Sequence, residues 1–481
     1  MSDLKQKTFA GVFWQFFEKI GTQLVSLIVS IILARILTPA DYSVVSIVLI
    51  FFTFSNIFVV GGFNSALVQK KDADEKDYSS VFTLSMIVAF VLYVIIFVCA
   101  PWISKLYDKP VLVHIFWVMG LILFVNAYKS ILAAYVSSTM QFKKFFFATL
   151  WGTAGSAIIG IVMALLGFGA WALVAQQLSN AIIGTIFLAF ATKIKVCFCL
   201  SLQRIKVLLK YGWKVFASTL VTTTYNEINP LIIGIKFTPE DLAFYSKGKS
   251  YPGILNSSIS NTITAVLFPA MVKVQDDKHR LLAFSRKYVQ LASFLVFPIL
   301  LGFFAISDKF ITLILTDKWL IADVYMKIFC IVYMIESIQI GNVQAVLALG
   351  KSGSCLVAEI IKRILQALVI FLCVIVAKSP EVLALSMIIN AVISFAVGAI
   401  LGKVYIGYKF RMLLIDMLPN LLVSTIMSIL VMLIANLNIN KWVVFILQIV
   451  SGCAIYVILN IVIKNKNLKY IFNLLKEKFK K

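Results

Sequence analysis

One predicted helix carries four charged or amide side chains on a single face: Glu359, Lys362, Arg363 and Gln366. Positions i, i+3, i+4 and i+7 are neighbours on a helix surface. Arginine offers phosphate oxygens a planar fork of donors, and lysine offers a point charge, so this face suits an anionic ligand. The alternative is a cluster in which Glu359 neutralises its two basic neighbours near the cytoplasmic boundary of a membrane.

A further basic residue, Lys129, lies within a different apolar run, and Asn126 precedes it by about one helical turn. An ionisable side chain inside a membrane is costly and usually faces a cavity or a partner. We therefore predict that Lys129 points into a cavity. The alternative is that its long side chain snorkels to the membrane surface.

Three carboxylates in apolar runs are candidates for ion coupling: Glu227, Glu336 and Glu359. Each of them could carry a proton, bind a sodium ion or pair with a lysine. Glu227 precedes Pro230, and a proline inside a helix frees a backbone carbonyl and favours a kink. The sequence leaves these roles open.

Amide side chains in two neighbouring runs are candidates for binding sugar hydroxyls: Asn226, Asn256 and Asn261. The run that contains Asn256 and Asn261 is also unusually rich in serine and threonine. Small polar residues serve ordinary helix packing in membranes as well, so a structural role is the alternative.

Motifs for catalysis or energy coupling are missing. Gly248-Lys249-Ser250 and Gly350-Lys351-Ser352 end like a phosphate-binding loop, but Ala243 and Ala345 stand where that loop needs its first glycine. Two histidines and seven cysteines without paired spacing predict no metal site and no cofactor. We predict a transporter with no catalytic residues rather than an enzyme.

Composition predicts where these residues lie. Of the 481 residues, 61% are hydrophobic and 14% are charged, against roughly 25% charged in ordinary soluble domains. A soluble enzyme is excluded, and the net charge of +23 is assigned to membrane lipid rather than to nucleic acid. Since a span needs about 20 apolar residues, the sequence predicts an all-α membrane protein of fourteen helices. They lie near 17–37, 42–66, 79–100, 111–137, 146–166, 169–191, 214–236, 251–272, 288–306, 320–348, 356–377, 380–402, 412–435 and 441–463.

The basic residues also predict the orientation. Alternate loops on one side hold about three times as many lysines and arginines as the others, which places both termini in the cytoplasm. Between the sixth and seventh spans, residues 193–213 mix basic and apolar residues, as an amphipathic helix on the inner leaflet does.

A short repeat divides the chain. Thr38-Pro39-Ala40-Asp41 recurs as Thr238-Pro239-Glu240-Asp241, and each copy follows the first helix of a six-span group. We predict a six-helix lobe over 1–192, a cytoplasmic linker over 193–213, a second six-helix lobe over 214–402, and two extra helices with a basic tail over 403–481. Repeats of this kind place a substrate path at the lobe interface; coincidental helix capping is the alternative.

Several segments resemble the bacterial polysaccharide transporter family, the Wzx-like flippases of the superfamily that also holds multidrug antiporters and the lipid II flippase. The segments are Ala34-Arg35-Ile36-Leu37-Thr38-Pro39-Ala40-Asp41-Tyr42, Gly62-Phe63-Asn64-Ser65-Ala66-Leu67-Val68-Gln69-Lys70, Phe142-Lys143, Gly167-Phe168-Gly169-Ala170-Trp171-Ala172-Leu173-Val174 and Leu267-Phe268-Pro269-Ala270. The resemblance runs from about residue 10 to residue 330.

The resemblance implies a flippase that moves polyprenyl-diphosphate-linked oligosaccharides across the bacterial inner membrane for surface polysaccharide synthesis. A polymerase and export machinery are further expected partners. Lys129, Lys362 and Arg363 are assigned to the diphosphate on charge and depth alone. An ion-coupled drug antiporter and a membrane glycosyl polymerase or acyltransferase are the alternatives.

Overall fold

A computed structural model describes residues 2–70, 72–437, 439–465 and 467–468. The predicted all-α class is confirmed, because these residues form sixteen α-helices and, within the described ranges, no strand. The first nine helices are α1 (Ser2–Ile36), α2 (Pro39–Val60), α3 (Phe63–Gln69), α4 (Glu75–Leu106), α5 (Val111–Gly120), α6 (Ile122–Ser138), α7 (Phe142–Leu165), α8 (Ala170–Thr192) and α9 (Leu202–Lys236). The others are α10 (Pro239–Lys273), α11 (Lys278–Phe310), α12 (Ala322–Ala348), α13 (Ser352–Val376), α14 (Pro380–Ile406), α15 (Phe410–Ile434) and α16 (Lys441–Val462).

The chain is a multi-pass membrane protein. Among the described residues, ten helical segments are long and apolar enough to cross a membrane. Every one of the fourteen predicted spans coincides with helical structure, but those on α1, α9, α10 and α13 are not among the ten, so the count of fourteen is not confirmed. The helices α9, α10 and α13 are the ones that carry most of the predicted site residues.

Two predicted spans are each divided into two helices. The second is interrupted at Gly61 and Gly62, whose φ angles of 54° and 72° are left-handed, and the fourth at Leu121. A Cβ at Gly62 would lie 2.3 Å from the carbonyl oxygen of Gly212 on α9. Only glycine therefore allows the backbone of α9 to approach the α2–α3 break this closely.

The two copies of the repeat have the same local geometry. The Thr38 hydroxyl donates to the Asp41 carboxylate at 2.7 Å and accepts from the Asp41 amide at 3.2 Å, and Thr238 and Asp241 repeat both distances. These are capping boxes, in which two side chains satisfy amides that the start of a helix leaves without partners. Each box follows a 35-residue helix, α1 or α9.

The chain forms two compact units, Met1–Ala243 and Phe244–Lys481, here called the first and second unit. Their boundary falls inside α10. Residues 193–201 of the predicted linker lie outside any helix, and residues 202–213 are the first turns of α9. The predicted lobe boundaries remain a prediction, and residues 469–481 of the predicted basic tail lie outside the described residues.

The extended segment 193–201 lies along α4 in the first unit. The backbone amides of Cys197 and Cys199 donate to the hydroxyls of Ser79 and Thr83 at 3.2 and 3.0 Å. Serine and threonine of α4 thereby satisfy backbone groups that have no helical partner. This attachment places the first turn of α9 beside the start of α4.

A buried polar network joins α11 to α15 in the second unit. Arg286 donates from Nε and one terminal nitrogen to the two oxygens of Asp416, at 2.7 and 2.8 Å. Gln290 and Tyr408 each donate to the same carboxylate at 2.7 Å. Two-pronged pairing of this kind fixes the orientation of both partners, so the network holds the two helices in register.

Candidate functional site

The first unit holds one candidate basic residue in its interior, Lys129 on α6. Glu18 on α1 is near enough to interact with it electrostatically, and a Cβ at Gly184 on α8 would lie 3.6 Å from its ammonium nitrogen. One turn earlier on α6, Asn126 donates to the side-chain oxygen of Asn56 at 2.9 Å. Lys129 therefore lies among three other helices, next to a carboxylate.

Sequence reasoning missed Glu18. It lies at the start of the first predicted span, more than a hundred residues before Lys129, and no local spacing links the two. The only available signal was that a carboxylate at the edge of an apolar run tends to have a basic partner.

The second unit holds the polar stripe on α13, and its charged members are paired with one another. Glu359 forms ion pairs with Lys362 and, at 2.8 Å, with Arg363. The Lys362 side chain is 9% exposed and that of Arg363 16%, whereas Glu359 is 40% exposed. The two cations are thus buried deeper than the carboxylate that they share.

Two other helices bring charge to this cluster. Glu336 on α12 interacts electrostatically with Lys362 and Arg363 of α13 and with Lys249 of α10. Three basic and two acidic residues are therefore gathered from α10, α12 and α13. The sequence pointed to Glu336 and to the stripe separately, and it considered Lys249 only as the end of a failed phosphate-binding loop.

The fourth member of the stripe, Gln366, packs two helices together. It is buried, and its amide nitrogen donates to the backbone oxygen of Asn390 at 2.9 Å and to the hydroxyl of Ser394 at 2.8 Å. Both acceptors are on α14. Gln366 therefore holds α13 against α14, a common role of buried amides between membrane helices.

The predicted sugar-binding amides differ in their surroundings. Asn256 on α10 is buried and accepts a hydrogen bond from Ser260 of the same helix at 3.1 Å, whereas Asn261 is exposed. On α9 in the first unit, Asn226 is exposed and Glu227 is half-buried. Their role in binding stays a prediction.

Most hydroxyls of α10 are engaged by their own helix. Four of them donate to backbone carbonyls three or four residues earlier, at 2.7 to 3.2 Å: Ser257, Ser258, Thr262 and Thr264. Such bonds satisfy the hydroxyl inside a membrane helix. A helix that is rich in polar residues therefore offers few uncommitted donors to a ligand.

No group of three or more histidine, cysteine, aspartate or glutamate residues within the described ranges is arranged to hold a metal ion. The paired basic residues of α13 can bind anions by exchanging their ion-pair partner.

Comparison with known proteins relates the chain to a family. A family model described as "Polysaccharide biosynthesis protein" matches residues 32–324. The chain is 24% identical over 309 residues to the succinoglycan biosynthesis transport protein ExoT of Rhizobium meliloti (strain 1021), an alignment that covers 64% of this chain and 63% of ExoT. It is 22% identical over 358 residues to the teichuronic acid biosynthesis protein TuaB of Bacillus subtilis (strain 168), covering 73% of each.

The fold has a solved counterpart. The lipid II flippase MurJ, in an inward closed conformation, matches with a TM-score of 0.75 and 15% sequence identity, over 96% of this chain and 100% of that one. At this identity the match shows that the two chains share a fold.

Proposed function

Because the chain belongs to the polysaccharide biosynthesis protein family, we propose that it is a flippase for polyprenyl-diphosphate-linked oligosaccharides. It moves these units across the bacterial inner membrane for the synthesis of a surface polysaccharide. The observation that carries the proposal is the cluster of Lys249, Lys362 and Arg363 within an apolar bundle. Clustered basic groups of this kind suit a diphosphate.

Binding proceeds by exchange of anions. The diphosphate replaces Glu359 as the partner of Lys362 and Arg363 in the second unit. Lys129, in the first unit, stays a candidate for binding the anionic substrate. Each carboxylate that loses a basic partner then takes up a proton or a sodium ion, because an unpaired charge inside the bundle is costly. Glu336, Glu359 and Glu227 are the candidates for this coupling role.

Transport follows the alternating-access scheme of repeat-built transporters. The lobes 1–192 and 214–402 rock against each other with both termini in the cytoplasm, while the polyprenyl tail stays in lipid. Asn226, Asn256 and Asn261 bind sugar hydroxyls during the movement. A polymerase and export machinery receive the flipped units.

Deletion of the gene tests the function. We expect complete lipid-linked repeat units to accumulate on the cytoplasmic face, with loss of surface polymer and rescue by the intact gene. Single units appearing on the outer face would instead assign the chain to polymerisation. Unchanged lipids together with lost resistance to cationic dyes would support the drug antiporter.

Complementation of that deletion strain tests Lys129. We expect Lys129→Ala to lower surface polymer about tenfold, the effect of losing one charged hydrogen bond. Lys129→Arg keeps the charge and should retain most of the activity. Normal export by Lys129→Ala at wild-type protein level would remove this residue from the site.

A further inference from the structure

A cavity of 620 Å³ opens at the α2–α3 break in the first unit. Its wall is formed by the end of α2, by α3, by the end of α6 and by α9. Gly61 and Gly62 at the break are themselves part of its lining. The volume lies within the range of about 300–1,000 Å³ that is usual for small-molecule sites.

The cavity is lined by five neutral polar side chains with uncommitted hydrogen-bonding groups. They are Asn64, Ser65, Gln69, Ser137 and Thr219. None of the five makes a side-chain hydrogen bond to another residue within the described ranges. This sets them apart from the hydroxyls of α10, which donate to their own helix.

Among the described residues, the lining contains no charged side chain, so it offers a phosphate no counter-charge. Two of the basic residues nearby in the chain have acidic partners. Lys70 pairs with Asp77 at 2.5 Å, and Arg204 pairs with Asp77 and Asp74. A neutral ligand with several hydroxyls therefore matches this cavity better than an anion does.

An aromatic ring completes the wall. Phe216 lines the cavity and is held by an edge-to-face contact with Phe58, with ring centroids 5.2 Å apart. Aromatic faces supply a large apolar surface at a fixed orientation. A sugar ring has hydroxyls at its edge and an apolar face of C–H groups, so it matches both kinds of wall.

We propose that this cavity binds neutral sugar residues of the lipid-linked oligosaccharide. The inference rests on the proposed function and adds a subsite to it, separate from the cationic groups. The charge distribution predicts that the α3 end of the cavity faces the cytoplasm. The cavity therefore binds the sugar on the cytoplasmic side, from which the substrate enters.

Binding of two lipids to the purified full chain in nanodiscs tests the subsite. One is the lipid-linked repeat unit extracted from the deletion strain, and the other is polyprenyl diphosphate without sugar. The variant is Asn64→Ala combined with Gln69→Ala. We expect its Kd for the sugar-bearing lipid to rise at least about tenfold, since two hydrogen bonds are lost. Its Kd for polyprenyl diphosphate should stay within about twofold.

Two matched threonine variants on α9 control for an effect of substitution on folding. Thr219 lines the cavity, whereas Thr222, one turn later, already donates to the backbone oxygen of Ser218 at 2.9 Å. Replacement by valine removes the hydroxyl and keeps the shape. Thr219→Val should weaken binding of the sugar-bearing lipid about threefold or more, and Thr222→Val should leave it unchanged.

Equal weakening for both lipids, or an unchanged Kd for the sugar-bearing lipid, would overturn the subsite and leave the proposed function standing. Wild-type protein that binds neither lipid would overturn the proposed function and the subsite with it.

Discussion

Two ionic clusters of the second unit are built differently. At Asp416 both carboxylate oxygens are occupied by Arg286, Gln290 and Tyr408, and the carboxylate is 3% exposed. At Glu359 one carboxylate, 40% exposed, serves two more deeply buried cations.

The difference separates a structural cluster from an exchangeable one. Asp416 accepts four hydrogen bonds, which leave no place for another anion. Removal of any member of this network leaves the others without a hydrogen-bond partner. Lys362 and Arg363 share a carboxylate that is itself 40% exposed and makes no other ion pair within the described ranges, so a phosphate can replace it at lower cost. Burial of charge alone does not mark a binding site; the accessibility of the counter-ion does.

The largest effect should come from breaking the structural cluster. Asp416→Ala leaves Arg286, Gln290 and Tyr408 without their acceptor, and we expect a loss of about 2–4 kcal/mol in the free energy of unfolding. Denaturation of the purified protein in detergent measures this. As a control, Asp308→Ala removes a surface pair of 3.7 Å and should cost less than about 1 kcal/mol. Equal losses for the two variants would show that the Asp416 network stabilises the protein no more than a surface ion pair does.

Breaking the exchangeable cluster should reduce transport instead. The double change Lys362→Ala and Arg363→Ala removes the proposed phosphate donors. We expect surface polymer in the complemented deletion strain to fall about 10- to 100-fold. Lys351→Ala, an exposed residue at the start of α13, is the control and should be silent. Undiminished export by the double variant at normal protein level would contradict the site.

A smaller effect of opposite sign sharpens the comparison. Glu359→Gln removes the anion that competes with phosphate, so the Kd for polyprenyl diphosphate should fall about 2- to 5-fold. Glu381→Gln, in the first turn of α14, should not change it. If Glu359→Gln lowers stability and leaves the Kd unchanged, the α13 cluster is structural, like that of Asp416.

The smallest effect concerns a third, more exposed ionic group at the start of α4. The pKa of the Asp74 carboxyl is held below its ordinary 3.8, first by the backbone amide of Asp77, which donates a hydrogen bond to it, and also by the Arg204 guanidinium. A lowered pKa stabilises the folded state above the ordinary value, and this contribution is lost as the pH falls below it.

Asp74→Asn tests this linkage, because asparagine caps a helix as well as aspartate does but carries no charge. We expect a loss of about 0.3–1 kcal/mol in unfolding free energy at pH 7. Thermal unfolding at several pH values should show the two proteins converging below roughly pH 4. A difference that persists at low pH would mean that the cap geometry, not the charge, stabilises the helix. Asp72→Asn, exposed in the same loop, is the control.

The sequence predicted what depends on local pattern. Apolar runs located fourteen helical stretches. The repeat of Thr38 and Thr238 predicted two similar lobes, with helix capping as the alternative, and the structure shows a capping box at each copy. Helical spacing placed Glu359, Lys362 and Arg363 together, and the structure pairs them.

What the sequence did not predict depends on contacts between distant residues. Periodicity placed Gln366 on the charged face of its helix. It did not predict that Gln366 donates hydrogen bonds to α14. It gave no partner for Lys129 and did not connect Lys249 with Glu336, because each pair is joined only by helix packing. Residue type also misled at α10, where the hydroxyls are satisfied within the helix.

The contact of Gly62 with the backbone of α9 also has a genetic consequence. Every amino acid that one nucleotide change can substitute for glycine adds at least a methyl group. At residue 62 that group would meet a carbonyl oxygen 2.3 Å away, and a backbone atom cannot turn aside as a flexible side chain can. No mild missense allele is therefore expected at this codon, and a screen of single-base changes should find every one that replaces the glycine defective.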